Sequence, residues 1–261
     1  MTCLVNTGFV RAFDAGYGEA MASAAKSGTG PAPTTVVLPG DEPTAAALIA
    51  AAVEVMAVHG YHGTSVRDIA AAAGTSPAIL YHHFSSKHAL LVTILDRGLD
   101  VLIAATEEAL DAAGHDPADR LAAIVGAHVR VHLSSQRESL LGNSELRSLD
   151  PAARALIVAK RDVQQRTFDR VVRDGVRRGA FGTGHPEDAA RVITSACTAV
   201  AAWYRPDGPL SGETIVDRYR AIALDAVGWK GSAHAGGEAR TDGRTAVPGG
   251  HGDPGPGAGA G

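Results

Sequence analysis

Cysteine is almost absent from this sequence, with Cys3 and Cys197 as the two examples in 261 residues. Two cysteines so far apart provide no disulfide framework, which favours a reducing compartment such as the cytoplasm. Long uncharged apolar runs are also missing, so no membrane-spanning helix is expected. The N-terminus lacks the charged region and apolar block of a secretory signal. We therefore expect a cytoplasmic protein without a membrane partner.

Neither sign of charge dominates, and aromatic residues make up only 5% of the chain. The 24 basic and 28 acidic residues give a net charge of −4 and an isoelectric point of about 6.2. This balance indicates no broad basic surface, but a small basic face within an acidic total is compatible with DNA binding. Much of the 45% hydrophobic fraction is alanine, the best helix former. The composition therefore favours close-packed helices over sheets.

Patterns typical of catalysis are missing as well. The sequence contains no Glu-x-x-His pair for a di-iron bundle and no Gly-x-Ser-x-Gly elbow for a nucleophile. The histidines between His59 and His83 have no cysteine or further acidic partner at metal-ligand spacing. The glycine-rich run Gly179 to Gly184 follows no strand, so it is not typical of a phosphate-binding loop. No catalysis, cofactor or metal is expected, and a helical-bundle enzyme remains an alternative.

The two ends of the chain differ in composition from the middle. Residues 231–261 are rich in glycine and proline, so a disordered tail is expected there. Residues 1–40 are expected to form a disordered extension, and Met21 is an alternative start. The other interpretation of the N-terminal residues is a short amphipathic helix carrying Phe9, Phe13 and Tyr17. The folded part is predicted at residues 41–230.

Cap residues and apolar spacing predict about nine helices in this folded part. Several predicted helices begin with a proline, which is tolerated in the first turn because its missing N–H would be unpaired there anyway. The run Val36 to Leu38 is the one β-like segment, and it is too short to predict a strand. The predicted fold class is therefore all-α.

The segment from Thr64 to Lys87, TSVRDIAAAAGTSPAILYHHFSSK, is the most informative part of the sequence. Ser65 is placed to cap a short helix that ends near Gly74. Ser76 caps a second short helix, and Pro77 occupies its first position. Two short helices around such a turn form a helix-turn-helix, whose second helix can enter the major groove of DNA. The alternative is a helical corner without a DNA role.

The exposed positions of the second helix favour contact with DNA. Small side chains at Thr75, Ser76 and Ala78 allow the backbone to approach base edges. The hydroxyl of Tyr81, the ring of His82 and the ammonium of Lys87 suit phosphate oxygens. Between residues 59 and 92 the charged residues are Arg67, Lys87 and Asp68, so with neutral histidines this region carries a net charge of only +1. One copy should therefore bind DNA weakly, and two copies on one palindrome should be needed.

The same segment resembles the N-terminal domain of the TetR/AcrR family of transcriptional regulators. The residues that carry the resemblance are Gly60-Tyr61, Thr64 to Ala70, Ala73-Gly74, Leu80-Tyr81, His83-Phe84 and Ser86-Lys87. The resemblance implies that Tyr81 and Lys87 contact phosphates. It implies groove or backbone contacts for Ser65, Arg67, Thr75, Ser76, Pro77, Ala78 and His82. It also implies a homodimer that binds a double-stranded DNA operator, with a helix-turn-helix domain at residues 41–90.

The C-terminal half resembles the repressors of fatty-acid or sterol degradation that respond to acyl-CoA thioesters. The residues that carry this resemblance are Glu145 to Arg147, Asp150-Pro151, Arg161-Asp162, Gly175, Gly179, Phe181 and Ala202 to Ser211. The resemblance implies a ligand-binding and dimerisation domain at residues 91–230. It also implies a small-molecule effector, with acyl-CoA as the candidate.

Candidate ligand and interface residues follow from helix faces in this second domain. His128 and His132 share a face at i, i+4 spacing, and the other ligand candidates are Glu145, Arg147, Arg161 and Gln165. The simpler interpretation of each is a solvated or ion-paired residue. Small residues in the helix before Tyr204 allow close helix crossing, which predicts a dimer contact. The residues predicted at that contact are Ser195, Ala199, Ala202, Trp203 and Tyr219.

These features together predict a ligand-responsive transcriptional regulator, a repressor that binds a palindromic operator as a dimer. A long fourth helix joins the two predicted domains, so a ligand that shifts it would change the distance between the two reading helices. Both can bind only when they are about 34–36 Å apart or a multiple of it. The alternatives are an activator of the same fold and a scaffold that does not bind DNA.

Overall fold

The structure, a computed structural model, describes residues 34–231. Most of the predicted extension, its possible aromatic helix, and the predicted tail beyond Gly231 therefore lie outside the described residues. Within residues 34–231 the chain has nine α-helices, one 3-10 turn and no strand. This confirms the prediction of an all-α fold with about nine helices.

The helices are α1 (Pro43–Gly63), α2 (Val66–Ala72), α3 (Pro77–His83), α4 (Lys87–Ala112), α5 (Pro117–Ser134), α6 (Gln136–Ser144), α7 (Pro151–Arg177), α8 (Pro186–Trp203) and α9 (Gly212–Ala226), and the 3-10 turn is Glu145–Ser148. Five of these helices have a proline in the first turn, at Pro43, Pro77, Pro117, Pro151 and Pro186. Polar caps precede four of the five, and they hold the first N–H groups of the helix. Local sequence therefore sets where the helices begin.

The segment before α1 packs onto the protein, contrary to expectation. Val36 is fully buried, and its side chain lies against Gly98 of α4. Arg97 donates to the carbonyl of Val36 at 3.1 Å and also pairs with Asp41. Thr35 donates its N–H to Glu138 of α6 at 3.2 Å. The prediction of disorder is therefore wrong for residues 34–40, because one buried aliphatic side chain and several hydrogen bonds hold them.

Two hydrophobic clusters form the interior of the described residues. One gathers the inner faces of α1, α2 and α3, for example Leu48, Ile69 and Leu80, together with Leu141 of α6 and Ile157 of α7. The other lies among α5, α7, α8 and α9 and includes Phe168. We call α1–α3 the head and the helices after α4 the body. Helix α4 contributes its first turns to the head cluster and Leu110 to the body cluster, so it joins the two. The predicted domain boundaries at residues 41–90 and 91–230 stay a prediction.

Helix α1 is apolar enough to need separate comment. Among the described residues it is the one helix whose length and composition would allow it to cross a membrane. Its face with Leu48, Ile49, Val53 and Met56 is buried in the head cluster, with at most 3% exposure for each residue. Packing, rather than the absence of a long apolar run, therefore assigns α1 to the protein core.

Candidate nucleic-acid interface

Side-chain caps build the corner between α2 and α3. The Ser65 hydroxyl accepts from the Asp68 N–H at 3.2 Å, and the Asp68 carboxylate accepts from the Ser65 N–H at 2.8 Å. This is the reciprocal capping box, and its hydrogen bonds lower the pKa of Asp68. Gly74 has a φ of 66°, which suits glycine. The Ser76 side chain then caps α3 by accepting from Ile79. Residues within this segment therefore account for the conformation of the turn.

Packing under the corner leaves the outer face of α3 open. Ile69 and Ala70 of α2 and Leu80 of α3 are at most 1% exposed and lie under the corner. On the outside, Ser76, Pro77, Ala78, Tyr81 and His82 are all exposed. Tyr81 has 56% of its surface exposed, which is unusual for a large aromatic side chain. An exposed helix with small residues at its start and an aromatic hydroxyl further along can lie in a DNA groove.

The remaining predicted DNA contacts lie around this face. Ser65 and Arg67 are exposed at the start of α2, and Thr75 is half-buried in the turn. The structure therefore brings together eight of the nine predicted DNA contacts on the α2–α3 corner. The ninth, Lys87, is placed differently.

Lys87 points into the protein rather than away from it. Its Nζ donates to the carbonyls of Tyr61 at 2.7 Å and Thr64 at 2.6 Å. It also lies 4.2 Å from the centroid of the Tyr61 ring. Carbonyls at the end of a helix carry partial negative charge and attract a cation, which explains this position. Two of its three N–H groups are thus used internally, and the predicted phosphate contact has only the third.

The histidines of the head and of the first turn of α4 are clustered in the sequence but have separate partners in the structure. His83 lies 3.3 Å from Glu42. His62 Nε2 lies 3.2 Å from the Ser148 hydroxyl, and His88 Nε2 accepts from the Asp150 N–H at 3.2 Å. His62 and His88 therefore contact the body. Sequence reasoning missed this because the contacts join residues far apart in the chain.

His128 and His132 stack inside the body, with ring centroids 4.6 Å apart. His128 is 1% exposed, and its two nitrogens lie 3.1 Å from Thr198 Oγ1 and 3.2 Å from Gln164 Nε2. The amide of Gln164 donates, so the facing Nδ1 accepts and Nε2 carries the proton. Burial lowers the pKa of His128 far below its ordinary value and lowers that of His132 to about 4. Both rings are therefore neutral near pH 7.

The partner of His128 is Gln164, one residue before the predicted Gln165. Gln164 is 3% exposed and also accepts from the hydroxyl of the buried Thr106 at 3.0 Å. Gln165 instead donates to Asp169 at the body surface. The helical periodicity of the sequence could have identified Gln164, because it lies one turn before the buried Phe168 on the inward face of α7.

The other predicted ligand residues do not form one site with the histidines. Arg147 is exposed on the 3-10 turn. Glu145 points to the head, where it accepts from the Tyr61 N–H at 3.3 Å. Arg161 donates to the carbonyl of Gly142, and its charge helps to lower the pKa of His132. Of the six candidates, His128, His132 and Arg161 are therefore associated, whereas Glu145, Arg147 and Gln165 lie elsewhere.

An open groove lies at the start of α7, and none of these candidates lines it. It has a volume of about 400 Å³, and its lining residues are Leu149, Pro151, Arg154, Ala155 and Val158. The described residues contain no group of three or more metal-ligating side chains.

The predicted dimer residues share one face of α8 and α9. Ser195 and Ala199 are exposed, Ala202 is half-buried, and Trp203 keeps 42% exposure while stacking on Tyr219 with centroids 6.3 Å apart. Two exposed aliphatic side chains extend this face and were missed from the sequence. They are Val192 with 63% exposure and Ile222 with 58% exposure.

A capped pair of short helices with an open second helix defines a DNA-binding protein of the helix-turn-helix class. The family model described as bacterial regulatory proteins, tetR family, matches residues 48–94. A second model, described as tetracyclin repressor-like, C-terminal domain, matches residues 114–227. The repressor KstR2 of Mycolicibacterium smegmatis is 30% identical over 182 residues, which are 69% of this chain and 88% of that protein. The chain therefore belongs to the TetR family, and it is a transcriptional regulator rather than an enzyme.

Two further relatives are an activator and a protein whose structure was solved with a ligand and DNA. The transcriptional activator FasR of Mycolicibacterium smegmatis is 30% identical over 203 residues, which are 76% of this chain and 86% of that protein. The crystal structure of AibR in complex with isovaleryl coenzyme A and operator DNA has 25% identity and a TM-score of 0.63. It covers 69% of this chain and 97% of the AibR chain.

Proposed function

We propose that this regulator represses genes of lipid metabolism, binds a palindromic operator as a homodimer, and leaves it when an acyl-CoA thioester binds. The observation that carries the proposal is the open outer face of α3, with Pro77, Ala78, Tyr81 and His82 exposed. A helix that only stabilised the fold would have no need to expose a large aromatic ring on this side.

The DNA contacts are assigned by side-chain type and position. Thr75, Ser76, Pro77 and Ala78 approach base edges, because small residues at the start of α3 allow the closest approach. The hydroxyl of Tyr81 and the ring of His82 contact phosphates, and Ser65 and Arg67 contact the backbone beside the groove. Lys87 reaches a phosphate with its third N–H at most.

The exposed face of α8 and α9 is the proposed dimer contact. Val192, Ala199, Trp203 and Ile222 are apolar or small and lie on neighbouring turns of these two helices. A dimer presents two reading helices, which compensates for the weak charge of each. Their separation should match about 34–36 Å or a multiple of it.

The acyl-CoA proposal is supported by AibR, which was crystallised with isovaleryl coenzyme A and operator DNA. In this chain, His128, His132 and Gln164 supply buried hydrogen-bonding groups in the body, and Arg161 supplies a nearby cation. Such groups suit a thioester carbonyl and a phosphate, respectively. An activator is the second candidate, because FasR is as similar in identity as KstR2.

The test begins with genomic fragments that the purified full-length protein captures and that compete in a gel shift. We expect one palindromic motif, and we expect isovaleryl-, acetyl- or palmitoyl-CoA to release it. A protein that binds no double-stranded DNA would be a scaffold, which would contradict the proposal. Deleting the gene should raise transcription beside the motif, whereas a fall would identify an activator.

A further inference from the structure

The end of α1 is one place where the head meets the body. Gly60 departs from helical torsions there, with φ 69° and ψ 167°, so α1 is kinked before Tyr61. Tyr61 begins a new turn, and an N–H at the start of a turn lacks a partner within its own helix. The carboxylate of Glu145 supplies the partner, because its Oε1 accepts from the Tyr61 N–H at 3.3 Å.

The opposite side of the same residue is held from α4. Lys87 Nζ donates to the Tyr61 carbonyl at 2.7 Å and to the Thr64 carbonyl at 2.6 Å. Thr64 directly precedes Ser65, the cap of α2. The segment that leads into α2 is therefore held between a carboxylate of the body and an ammonium of α4. Its position sets where α2, and with it α3, begins.

Glu145 is itself fixed within the body. Its Oε2 accepts from the Ser148 hydroxyl at 2.6 Å, and that hydroxyl lies 3.2 Å from His62 Nε2. The preceding helix α6 is tied to α7, because Arg161 donates to the Gly142 carbonyl. The 3-10 turn is thus a short connection from the body helices to Tyr61.

From this geometry we propose that Glu145 is a positioning residue for DNA binding rather than an effector ligand. Its hydrogen bond to Tyr61 fixes the orientation of the α2–α3 corner relative to the body. The proposal rests on the proposed DNA-binding function. A displacement of the 3-10 turn would withdraw the carboxylate, which gives the body a polar route to the head beside α4 and the apolar contact of Leu141.

The test compares three single variants of the full-length chain. Glu145→Asp retracts the carboxylate by one methylene and should lose the contact, whereas Glu145→Gln keeps an acceptor oxygen at the same reach. Glu138→Asp is the matched control, because Glu138 lies on α6, the helix that directly precedes the 3-10 turn of Glu145, and accepts from Thr34 and Thr35 instead of the head.

The direct readout is the head-to-body distance, measured by electron spin resonance between labels at Ala72 and Arg166, both exposed. Both positions become cysteine, and Cys3 becomes serine. Cys197 can remain because burial raises its pKa to about 12, so it reacts slowly. Labelled chains are diluted with unlabelled ones. We expect Glu145→Asp to broaden the distance distribution, and Glu145→Gln and Glu138→Asp to leave it unchanged.

DNA binding gives the second readout. Losing one hydrogen bond to a charged group should lower palindrome affinity about tenfold in Glu145→Asp, while affinity for a single half-site stays within about twofold. Equal behaviour of Glu145→Asp and Glu138→Asp in both readouts would overturn the inference. Failure of the wild-type protein to bind any DNA would contradict the proposed function, and the distance measurement would still test the positioning role.

Discussion

Two buried histidines make the stability of this protein depend on pH. His128 and His132 are neutral in the folded chain because burial disfavours their charged forms. The unfolded chain exposes both rings, which then have a pKa near their ordinary value of 6.5. Between pH 6.5 and about 4 the unfolded state therefore binds more protons than the folded state. The stabilisation is complete above the unfolded pKa and is lost as the pH falls toward 4.

The change that tests this is His132→Asn, which can keep the donor to the His128 carbonyl but cannot titrate. The wild-type protein should lose about 2 kcal/mol of unfolding free energy from His132 on going from about pH 7.5 to about pH 5. Urea unfolding at the two pH values measures this change, and the unfolding free energy of the variant should fall by about 2 kcal/mol less than that of the wild type. His115→Asn, at an exposed histidine, is the control. A variant with the wild-type pH dependence would contradict the buried neutral state of His132.

Arg67 and Lys87 carry the same charge but differ in what they contact. Arg67 is exposed, whereas Lys87 is hydrogen-bonded to two carbonyls. Arg67→Gln should therefore lower the salt slope of DNA binding by about one and leave stability nearly unchanged. Lys87→Met should cost about 1–3 kcal/mol of stability, because it removes two hydrogen bonds from a charged group, with a smaller change in slope. Chemical denaturation and binding titrations over a range of salt concentrations measure both quantities. If Lys87→Met instead lowered the salt slope and left stability unchanged, Lys87 would be a phosphate contact.

At the scale of single elements, local chemistry explains what the sequence could predict. Prolines and polar caps mark where helices begin, so the long fourth helix that the sequence predicts is present as α4, Lys87–Ala112. The start of α6 (Gln136–Ser144) has no such mark, because its cap Ser135 makes no side-chain cap bond. The open face of α3 also followed from the sequence, since its cap and turn are contained in one short segment.

Contacts between distant elements could not be predicted in this way. The inward position of Lys87, the direction of Glu145 and the burial of Val36 each depend on partners 23 residues or more away. Hydrophobic spacing identifies a buried face but does not say which helix covers it. For the same reason Gln165 was chosen where Gln164 is the buried residue.

The kink at Gly60 provides a test at the element scale. An L side chain is strained at its φ of 69°, so Gly60→Ala should lower stability by about 1 kcal/mol or more. Gly63 is the matched control, because it has no positive φ, and an added Cβ there would make only an ordinary 3.5 Å contact. Gly63→Ala should therefore be neutral or slightly stabilising. Thermal unfolding of both variants measures the difference, and equal melting temperatures would contradict the strain argument.

At the scale of the whole molecule, two clusters share one long helix. Helix α4 contributes residues to the head cluster and to the body cluster, so a change of packing in the body has a direct mechanical connection to the head. Glu145 adds a second connection on another side of the head. Leu141 of α6 and Ile157 of α7 are also buried in the head cluster. These connections restrict the head more than one hinge would, which favours a defined spacing between two reading helices over a loose tether.

That spacing exists only if the chain forms a dimer, and the exposed face of α8 is where the dimer can be tested. Ala199→Arg places a charge in the proposed contact, and burying it without a partner is costly. We expect the variant to sediment as a monomer and its palindrome affinity to fall to that of a half-site. Val163→Arg is the control. Val163 is also exposed, at 36%, but it lies on α7 and is not part of the proposed contact on α8 and α9. It should remain a dimer with wild-type affinity. If the Val163→Arg dimer dissociates while the Ala199→Arg dimer does not, the dimer contact lies on α7. That contact, rather than the one on α8 and α9, would then set the distance between the two reading helices.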